Sequence, residues 1–324
     1  MKVTIYGVGA IGGWLGALLA ESGAEVSAVA RGRTLQVLQH EGLTLNQEGR
    51  TVRVRVNATD DPANLGAQDL VVIAVKAPSL LDVARSLGSL VGADTMVLTA
   101  MNGLPWWFFQ GIKGPLARTG LQSVDPGGLI ANAIPMEHVI GCVVHASCQL
   151  DAPGVVRHHA GKALYIGEPT GGVSQRVERL GEVLQRAGCE THLSAFIQSP
   201  TWYKLWGNLT INPISALTGA TIDRIIGDEL VWRFAASVME EAKRVGARLG
   251  IEIKETPQDR HDLLRSLGAF KSSMLQDVEA RRPLEIDALV TSVTEVARLV
   301  DEPTPFVDAM LGLVRLQSRE RGLY

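Results

Sequence analysis

The chain has 324 residues, a formal net charge of −3 at pH 7, 46% hydrophobic residues and 20% charged residues. This length suits two domains, and the composition provides enough apolar side chains for a sizeable core. The slightly acidic charge balance and the scattered basic residues argue against nucleic acid or an anionic membrane surface as a partner.

The first thirteen residues predict a strand, a glycine-rich turn and a helix. Lys2 to Tyr6 is an apolar run typical of a strand buried on both faces, and a helix is predicted from Ala10 onwards. In a G-x-G-x-x-G turn the first glycine allows the tight bend, the second admits a phosphate and the third lets the helix lie against the strand. The turn consists of Gly7, Val8, Gly9, Ala10, Ile11 and Gly12.

This motif also occurs by chance in a chain with 34 glycines, so its context decides its meaning. Gly23 closes the predicted helix, and Ala24 to Ala30 provides a second strand directly after it. Backbone N–H groups and the positive end of the helix dipole would point at a ligand above the turn. The sequence therefore predicts a dinucleotide site.

The end of the second strand bears on the choice of cofactor. NAD enzymes usually place an acidic residue there, about 20 residues past the glycines, whereas this strand is followed by Arg31 and Arg33. Arg31 is suited to stacking on adenine and to charge-assisted hydrogen bonds with a 2′-phosphate. NADP(H) is favoured, and two solvated surface arginines are the alternative.

A hairpin is predicted next, from Leu43 to Leu45 and from Thr51 to Val56. The apolar run Asp69 to Val75 predicts a central parallel strand, followed by Lys76. A helix over Ser79 to Leu90 comes next.

The following strand, Met96 to Ala100, is followed by Asn102 and Gly103. Ligands of open α/β sheets collect at the carboxyl ends of strands, which makes Lys76 and Asn102 candidate site residues. An ordinary cation at a strand end and an ordinary turn are the respective alternatives. The aromatic run Trp106 to Phe109 is expected to pack in the core rather than to line a substrate pocket.

The pattern then changes twice. Val139 to Glu168 predicts an antiparallel extension with turns at Pro153-Gly154 and Gly161-Lys162, and Val173 to Ala187 predicts a helix before an edge strand at Thr191 to Leu193. After about Ser199 only helices are predicted, which gives domains of residues 1–198 and 199–324 with a cleft at their junction. The predicted helices are Trp202 to Leu217, Asp228 to Leu249, Leu263 to Phe270 or further, Glu285 to Asp301 and Thr304 to Arg319.

Three polar residues of the first of these helices, Lys204, Asn208 and Asn212, recur at intervals of four and form one stripe. The stripe is either the solvated side of the helix or the lining of a polar pocket. Pro213 favours the pocket, because proline should kink or end the helix beside Asn212 and leave a carbonyl open to a ligand. A lysine in a partly desolvated cleft can donate the proton that ketone reduction requires, so Lys204 is the candidate acid.

Cysteines and termini bear on localisation. Cys142, Cys148 and Cys189 have no C-x-x-C spacing and cannot all pair, which fits a reducing compartment. No stretch has the length of a membrane span, and no signal-peptide pattern precedes the first strand, so a cytoplasmic protein is expected. The histidines, including His158 and His159, lack metal-ligand spacing, and no metal is expected.

The chain resembles the ketopantoate reductases (2-dehydropantoate 2-reductases) over nearly its whole length. The resemblance implies an α/β fold with an N-terminal Rossmann-type dinucleotide-binding domain, an all-helical C-terminal domain, and NADPH-dependent reduction of 2-dehydropantoate to pantoate, as in pantothenate biosynthesis. The matching segments are GVGAIGG (Gly7 to Gly13), VARG (Val29 to Gly32), AVKA (Ala74 to Ala77), NG (Asn102-Gly103), WYKLWGNLTINP (Trp202 to Pro213) and SSMLQDVEARRPLEID (Ser272 to Asp287).

The resemblance also implies roles for single residues. Lys204 corresponds to the proton donor, and the substrate-binding residues correspond to Asn102, Asn208, Asn212 and Ser273. Glu285 corresponds to a glutamate near the nicotinamide ribose. Asn102 and Lys76 correspond to cofactor and active-site contacts, and the backbone near Ser147 corresponds to a nicotinamide contact.

Two departures bear on the substrate. A further substrate-binding asparagine is expected about ten residues after Asn212, where this chain has Thr221-Ile222, and the aromatic run after Gly103 is bulkier than usual. A bulkier 2-oxo acid is therefore the alternative substrate, and a non-catalytic NADP(H)-sensing protein is the alternative of another class. The apolar faces of the last helices fit either a homodimer, which is favoured, or closure of the domain.

Overall fold

The structure is a computed structural model that describes residues 1–266 and 268–324. The chain divides into two compact units. The first unit comprises Met1–Met101, Phe109–Gly111 and Gly128–Ile197. The second comprises Asn102–Phe108, Ile112–Gly127 and Gln198–Tyr324.

The first unit is built on a ten-stranded sheet. Its strands are β1 (Lys2–Tyr6), β2 (Glu25–Val29), β3 (Leu43–Gln47), β4 (Arg50–Val54), β5 (Asn57–Thr59), β6 (Gln68–Ile73), β7 (Val91–Thr99), β8 (Val139–Ala152), β9 (Val155–Gly167) and β10 (Glu190–Leu193). The order across the sheet is β4-β3-β9-β8-β7-β6-β1-β2-β5, with β10 also paired to β9.

Six neighbouring strands, in the spatial order β5-β2-β1-β6-β7-β8, are all parallel to one another. This order is that of a doubly wound dinucleotide-binding sheet. The remaining strands extend it, because β8 pairs antiparallel with β9 and the hairpin β3–β4 pairs with the other side of β9. The predicted α/β class with a parallel sheet is confirmed.

Five helices belong to the first unit, namely α1 (Ala10–Glu21), α2 (Gly32–His40), α3 (Leu80–Ser86), α4 (Leu129–Ala133) and α5 (Gln175–Arg186). In α1, Trp14, Leu15 and Leu19 are fully buried and share the core with Val3 and Ile5 of β1. The helix therefore lies against the sheet along its whole length, and its first turn stays at the carboxyl end of β1.

An ion pair anchors the start of α5. The guanidinium of Arg176 donates hydrogen bonds to both carboxylate oxygens of Glu168, and Ser174 donates another. Burial alone would raise the pKa of Glu168, but these hydrogen bonds and the charge of Arg176 hold it below its ordinary value. Glu168, directly after β9, is therefore a charged and largely buried residue that holds Arg176 and Ser174 in place.

Two predictions for the first unit are wrong in detail. Gly161-Lys162 is not a turn but a bulge inside β9, where the pairing shifts from Ser147↔Ala160 to His145↔Ala163 and Gly161 has a φ of 70°. Of the helix predicted over Ser79 to Leu90, only α3 is an α-helix, and a 3₁₀ turn lies on each side of it. The other predicted strands and α5 are present within a few residues of the expected bounds.

The described residues of the second unit contain no strand. Its helices are α6 (Gln198–Thr218), α7 (Ile222–Gly227), α8 (Glu229–Arg248), α9 (Pro257–Ser266), α10 (Ser273–Glu279), a π-helical turn (Asp287–Thr291), α11 (Ser292–Leu299) and α12 (Pro305–Glu320). The prediction of an all-helical second part is confirmed.

Helix bounds in the second unit differ from the prediction at two places. α6 begins at Gln198, four residues before the predicted start at Trp202, and runs through Pro213 to Thr218, one residue past the predicted end at Leu217. The helix expected over Leu263 to Phe270 begins earlier, at Pro257, and α9 ends at Ser266, while Leu267 lies outside the described residues. Within the described ranges, no helix has the length and apolar character needed to cross a bilayer.

Candidate active site

The glycine turn between β1 and α1 has little room for side chains on its protein-facing side. Gly7 has a φ of 96°, and a Cβ there would lie 2.6 Å from Cγ1 of Val75. A Cβ on Gly12 would lie 2.1 Å from the carbonyl oxygen of Gly7. Both distances are far below van der Waals contact, so glycine is required at both positions.

The opposite side of the same turn is open. A Cβ on Gly9 would meet no protein atom within 4 Å, and the helix that starts at Ala10 has no side-chain cap. The N–H groups of its first turn, which have no partners within the helix, therefore point into open space. An anionic group such as a pyrophosphate fits this position, because free N–H groups at a helix start attract anions and a glycine lets a phosphate approach the backbone closely.

The register of the sheet aligns the ends of the strands that carry the other cofactor candidates. Tyr6 pairs with both Val29 and Ile73, which places the carboxyl ends of β1, β2 and β6 in one row. Arg31 follows β2 as an exposed residue, and Lys76 follows β6 as a half-buried residue ahead of a 3₁₀ turn. The structure thus brings the glycine turn, Arg31 and Lys76 to one edge of the sheet.

Ser147 lies on β8, the last strand of the parallel part of the sheet. β8 pairs with β7 only as far as Gly141, and Ser147 follows six residues later, paired with Ala160 next to the bulge in β9. The side chain is half-buried. β8 therefore continues beyond the carboxyl edge, with Ser147 on this continuation.

Two tryptophans fix the orientation of α6. The indole N–H groups of Trp202 and Trp206 donate to the carbonyl oxygens of Ala242 and Met239 in α8, at 3.1 and 2.9 Å. Gly246 of α8 leaves space for the Trp202 indole, since a Cβ there would lie 2.4 Å from its nitrogen. At 100° per residue, a side chain two positions after Trp202 points away from α8.

Lys204 is that side chain, and its ammonium donates a hydrogen bond of 2.7 Å to Oδ1 of Asn102. Both side chains are half-buried. Asn208, one turn further along α6, is also half-buried, and Asn212 is 7% exposed. The polar stripe is therefore mostly withdrawn from solvent, as a pocket lining requires.

The far end of the stripe approaches α10. Nδ2 of Asn212 lies 3.5 Å from Oγ of Ser273, the first residue of α10. The preceding Ser272 is buried and caps this helix by accepting the N–H of Leu275 at 3.1 Å. The two neighbouring serines thus have different positions, and only Ser273 has an exposed side chain for a ligand.

Glu285 is buried, at 6% exposure, and precedes the π-helical turn by two residues. No local pattern in the sequence predicts the π-helical turn. The carbonyl oxygen of Ala288 accepts the N–H of Leu104 at 2.7 Å, and a Cβ on Gly103 would lie 2.6 Å from Cβ of Ala288. Gly103, with a φ of 84°, was the one available sign of a close backbone approach.

Tyr203, next to Lys204, is held in a separate polar group. Burial and the nearby carboxylate of Glu255 raise the pKa of the Tyr203 phenol above its ordinary value, against the opposing effect of Arg260. The guanidinium carbon of Arg260 lies 6.0 Å from the centre of the Tyr203 ring. The phenol therefore stays protonated at neutral pH.

The aromatic run after Gly103 is part of the core. Trp106, Trp107, Phe108 and Phe109 are each exposed by 6% or less, and Phe108 packs against Trp202 at a centroid distance of 5.8 Å. The prediction that this run packs internally is confirmed.

Comparison with known proteins gives two family matches that together span most of the chain. Residues 3–171 match the family model described as ketopantoate reductase PanE/ApbA, and residues 197–318 match its C-terminal counterpart.

Individual relatives match over the full length. A 2-dehydropantoate 2-reductase of Mesorhizobium japonicum is 47% identical over 100% of both chains, and one of Pyrococcus horikoshii is 30% identical over 98% of both. The crystal structure of a candidate ketopantoate reductase from Ralstonia solanacearum MolK2 superimposes with a TM-score of 0.96 at 52% identity, covering 100% of this chain and 99% of that one.

Proposed function

The chain belongs to the ketopantoate reductase family of oxidoreductases, and from this premise we propose that it reduces 2-dehydropantoate to pantoate, with a hydride from NADPH and a proton from Lys204. The observation that carries the proposal is the 2.7 Å hydrogen bond from the Lys204 ammonium to Asn102. It holds a charged proton donor in a defined position on the half-buried stripe of α6.

The first unit is proposed to bind the dinucleotide. The open side of Gly9 and the uncapped start of α1 support a pyrophosphate position, and Arg31 supports a 2′-phosphate position. Bound NADPH supplies the hydride. Lys76 and the backbone near Ser147 are proposed as further cofactor contacts of this unit. Asn102 and Glu285, which belong to the second unit, are proposed as cofactor contacts on the family resemblance alone.

The second unit is proposed to bind and protonate the substrate. Lys204 hydrogen-bonds the 2-oxo oxygen and transfers a proton to it as the alkoxide forms, which also stabilises the developing negative charge. Asn208 and Asn212 orient the substrate through their amides, and Ser273 hydrogen-bonds its carboxylate.

The boundary near residue 198 is also part of the proposal, with a nucleotide domain before it and a substrate domain after it. The end of one family match at residue 171 and the start of the other at residue 197 support it. The loop Asn102–Phe108 clusters with the second unit. The substrate domain therefore includes Asn102 although this residue precedes the boundary in sequence.

The test of the proton donor is Lys204→Ala, with Lys254→Ala at an exposed position of the same unit as the matched control. We expect kcat with 2-dehydropantoate to fall about 100- to 10,000-fold in the first variant, because a positioned general acid contributes that much. The Kd for NADPH should stay unchanged in both. Nearly full turnover by Lys204→Ala would refute the assignment.

The preference for NADPH over NADH is tested at Arg31. Removing one charge-assisted contact to a phosphate costs about 1.5–3 kcal/mol, so Arg31→Ala should weaken NADPH binding about 10- to 100-fold and leave NADH binding unchanged. Arg85→Ala, an exposed arginine of the same unit, is the control. Equal losses for both cofactors would contradict a role for Arg31 at the 2′-phosphate.

The alternative substrate, a bulkier 2-oxo acid, is favoured by one observation. Where the family resemblance leads us to expect an asparagine, this chain has buried Ile222 and, at the N-cap position of α7, Thr221, whose side chain makes no capping hydrogen bond. A panel of 2-oxo acids followed by NADPH absorbance distinguishes the two substrates by kcat/KM. NADPH binding without turnover of any panel member would instead indicate a sensing protein.

A homodimer through α12 is proposed as the assembly. Phe306, Ala309, Leu313 and Leu316 form an exposed apolar stripe along this helix. In an antiparallel pair of α12 helices the stripe matches itself, since Phe306 faces Leu316 and Ala309 faces Leu313.

Leu313→Glu should convert the dimer to a monomer in light scattering, and Leu263→Glu on exposed α9 should not. A wild-type monomer at micromolar concentration would refute the pairing.

A further inference from the structure

The segment after α12 is held against the approach to Glu285. The N–H of Leu323 donates to the carbonyl oxygen of Ser318 at 2.8 Å, and the carbonyl oxygen of Leu323 accepts the N–H of Leu284 at 3.0 Å. Leu323 is 5% exposed. Residues 322–324 are therefore held by backbone hydrogen bonds to Ser318 and Leu284, and Leu284 directly precedes Glu285.

Tyr324 ties this segment to the π-helical turn itself. Its hydroxyl donates to Oδ1 of Asp287 at 2.8 Å, and the same oxygen accepts the hydroxyl of Thr291 at 2.8 Å. The guanidinium carbons of Arg315 and Arg319 lie 5.9 and 5.4 Å from the centre of the tyrosine ring. The ring is thus stacked by cations on one element while its hydroxyl restrains another.

The π-helical turn carries that restraint to the loop after β7. Ala288 directly follows Asp287, its carbonyl oxygen accepts the N–H of Leu104, and its methyl occupies the space that a side chain on Gly103 would need. π-helical turns are rare and occur often at functional sites, because the extra residue redirects the backbone. The position of Gly103 and Leu104 therefore depends on where Ala288 lies.

Asn102 directly precedes Gly103, and its Oδ1 accepts the hydrogen bond of the Lys204 ammonium. We propose that Tyr324 is a positioning residue for the proton donor, which it holds through Asp287, Ala288 and Asn102. The inference rests on the proposed function, in which Lys204 supplies the proton. All contacts in the series lie within the second unit.

Tyr324→Phe tests the proposal, because it removes one hydroxyl and leaves the ring and its stacking in place. We expect kcat to fall about tenfold, since small misplacements of a catalytic group reduce rates on that scale. The Kd for NADPH should be unchanged. The alkaline limb of the pH–kcat profile should move to lower pH, because a displaced Asn102 stabilises the ammonium form less.

Three variants at Asp287 and one control sharpen the result. Asp287→Asn keeps an oxygen that can accept from Tyr324 and should retain most of kcat, whereas Asp287→Ala should match Tyr324→Phe, and the double variant Asp287→Ala/Tyr324→Phe should be no worse than either. Tyr165→Phe, which removes a hydroxyl from the first unit, is the matched control and should leave kcat unchanged.

Wild-type kcat with a wild-type pH profile in Tyr324→Phe would overturn the proposal. A loss of folded protein with unchanged kcat per folded molecule would also overturn it, since that result indicates a purely structural role. Lys204→Ala separates this failure from failure of the proposed function. If Lys204→Ala is inactive while Tyr324→Phe is normal, the proton donor stands and only the positioning inference falls.

Discussion

Gly9 and Gly12 lie three residues apart in the turn between β1 and α1, yet alanine should have opposite consequences at the two positions. At Gly9 the added methyl would meet no protein atom within 4 Å, and its φ of −86° suits any residue. At Gly12 the methyl would lie 2.1 Å from the Gly7 oxygen, 3.0 Å from Cβ of Ala74 and 3.1 Å from Cγ2 of Ile5.

These distances set the expected magnitudes. Carbon atoms pack at about 3.5–4.0 Å, so α1 would have to move by more than about 1 Å to accept alanine at position 12, at a cost of about 1–3 kcal/mol in the free energy of unfolding. Alanine at position 9 should leave that free energy within about 0.5 kcal/mol of the wild type. Its methyl would instead displace the proposed pyrophosphate, which should raise the Kd for NADPH about 10- to 100-fold.

Urea unfolding and titration of NADPH by its fluorescence measure the two quantities separately. Gly88→Ala is the control, because this exposed glycine of the first unit also has no atom within 4 Å of an added Cβ. The expected pattern is normal stability with weak NADPH binding for Gly9→Ala, and normal values of both for Gly88→Ala. Wild-type NADPH affinity in Gly9→Ala would refute the placement of the dinucleotide over this turn.

Three other measurements follow from contacts of single side chains. Glu168→Gln should lower the free energy of unfolding by about 2 kcal/mol at pH 7. Because folding lowers the pKa of Glu168 from 4.5, the difference in stability between the variant and the wild type should shrink as the pH falls below about 4.5. A difference that stays constant with pH would contradict this. Burial raises the pKa of Cys189 to about 12, so this thiol should react with a disulfide reagent at pH 8 only after unfolding; rapid reaction of the native protein would argue otherwise. Trp206→Phe should cost about 1–3 kcal/mol in urea unfolding, because it removes the hydrogen bond to Met239, and an unchanged midpoint would show that the indole N–H is not needed.

Much of the fold was accessible from hydrophobic patterns, because the buried parallel strands are continuous apolar runs and the helices have clear periodicity. The family resemblance inferred from short motifs is confirmed by the matches over residues 3–171 and 197–318. Predictions of turns and helix ends from single residues were less reliable. Gly161 suggested a turn, yet the long pairing of β8 with β9 accommodates it as a bulge. Pro213 suggested a kink or an end of the helix, and α6 does not end there but continues to Thr218, close to the predicted end at Leu217.

The candidate site shows the same division. The four-residue spacing was enough to put Lys204, Asn208 and Asn212 on one face of α6, because the spacing is a local property of the helix. The contact of Lys204 with Asn102 joins residues 102 positions apart and has no local signal in the sequence. The same is true of Tyr324 and Asp287, which are 37 positions apart and meet only because α12 returns to the π-helical turn.

The ends of the ten-stranded sheet have a consequence for self-association. β5 has only three residues, and β4 carries Arg50 and Arg53 among its five, with Arg50 paired to Glu21. Short or positively charged border strands discourage another chain from adding itself through backbone hydrogen bonds. At high protein concentration the borders formed by β4 and β5 are thus protected from fibrous growth.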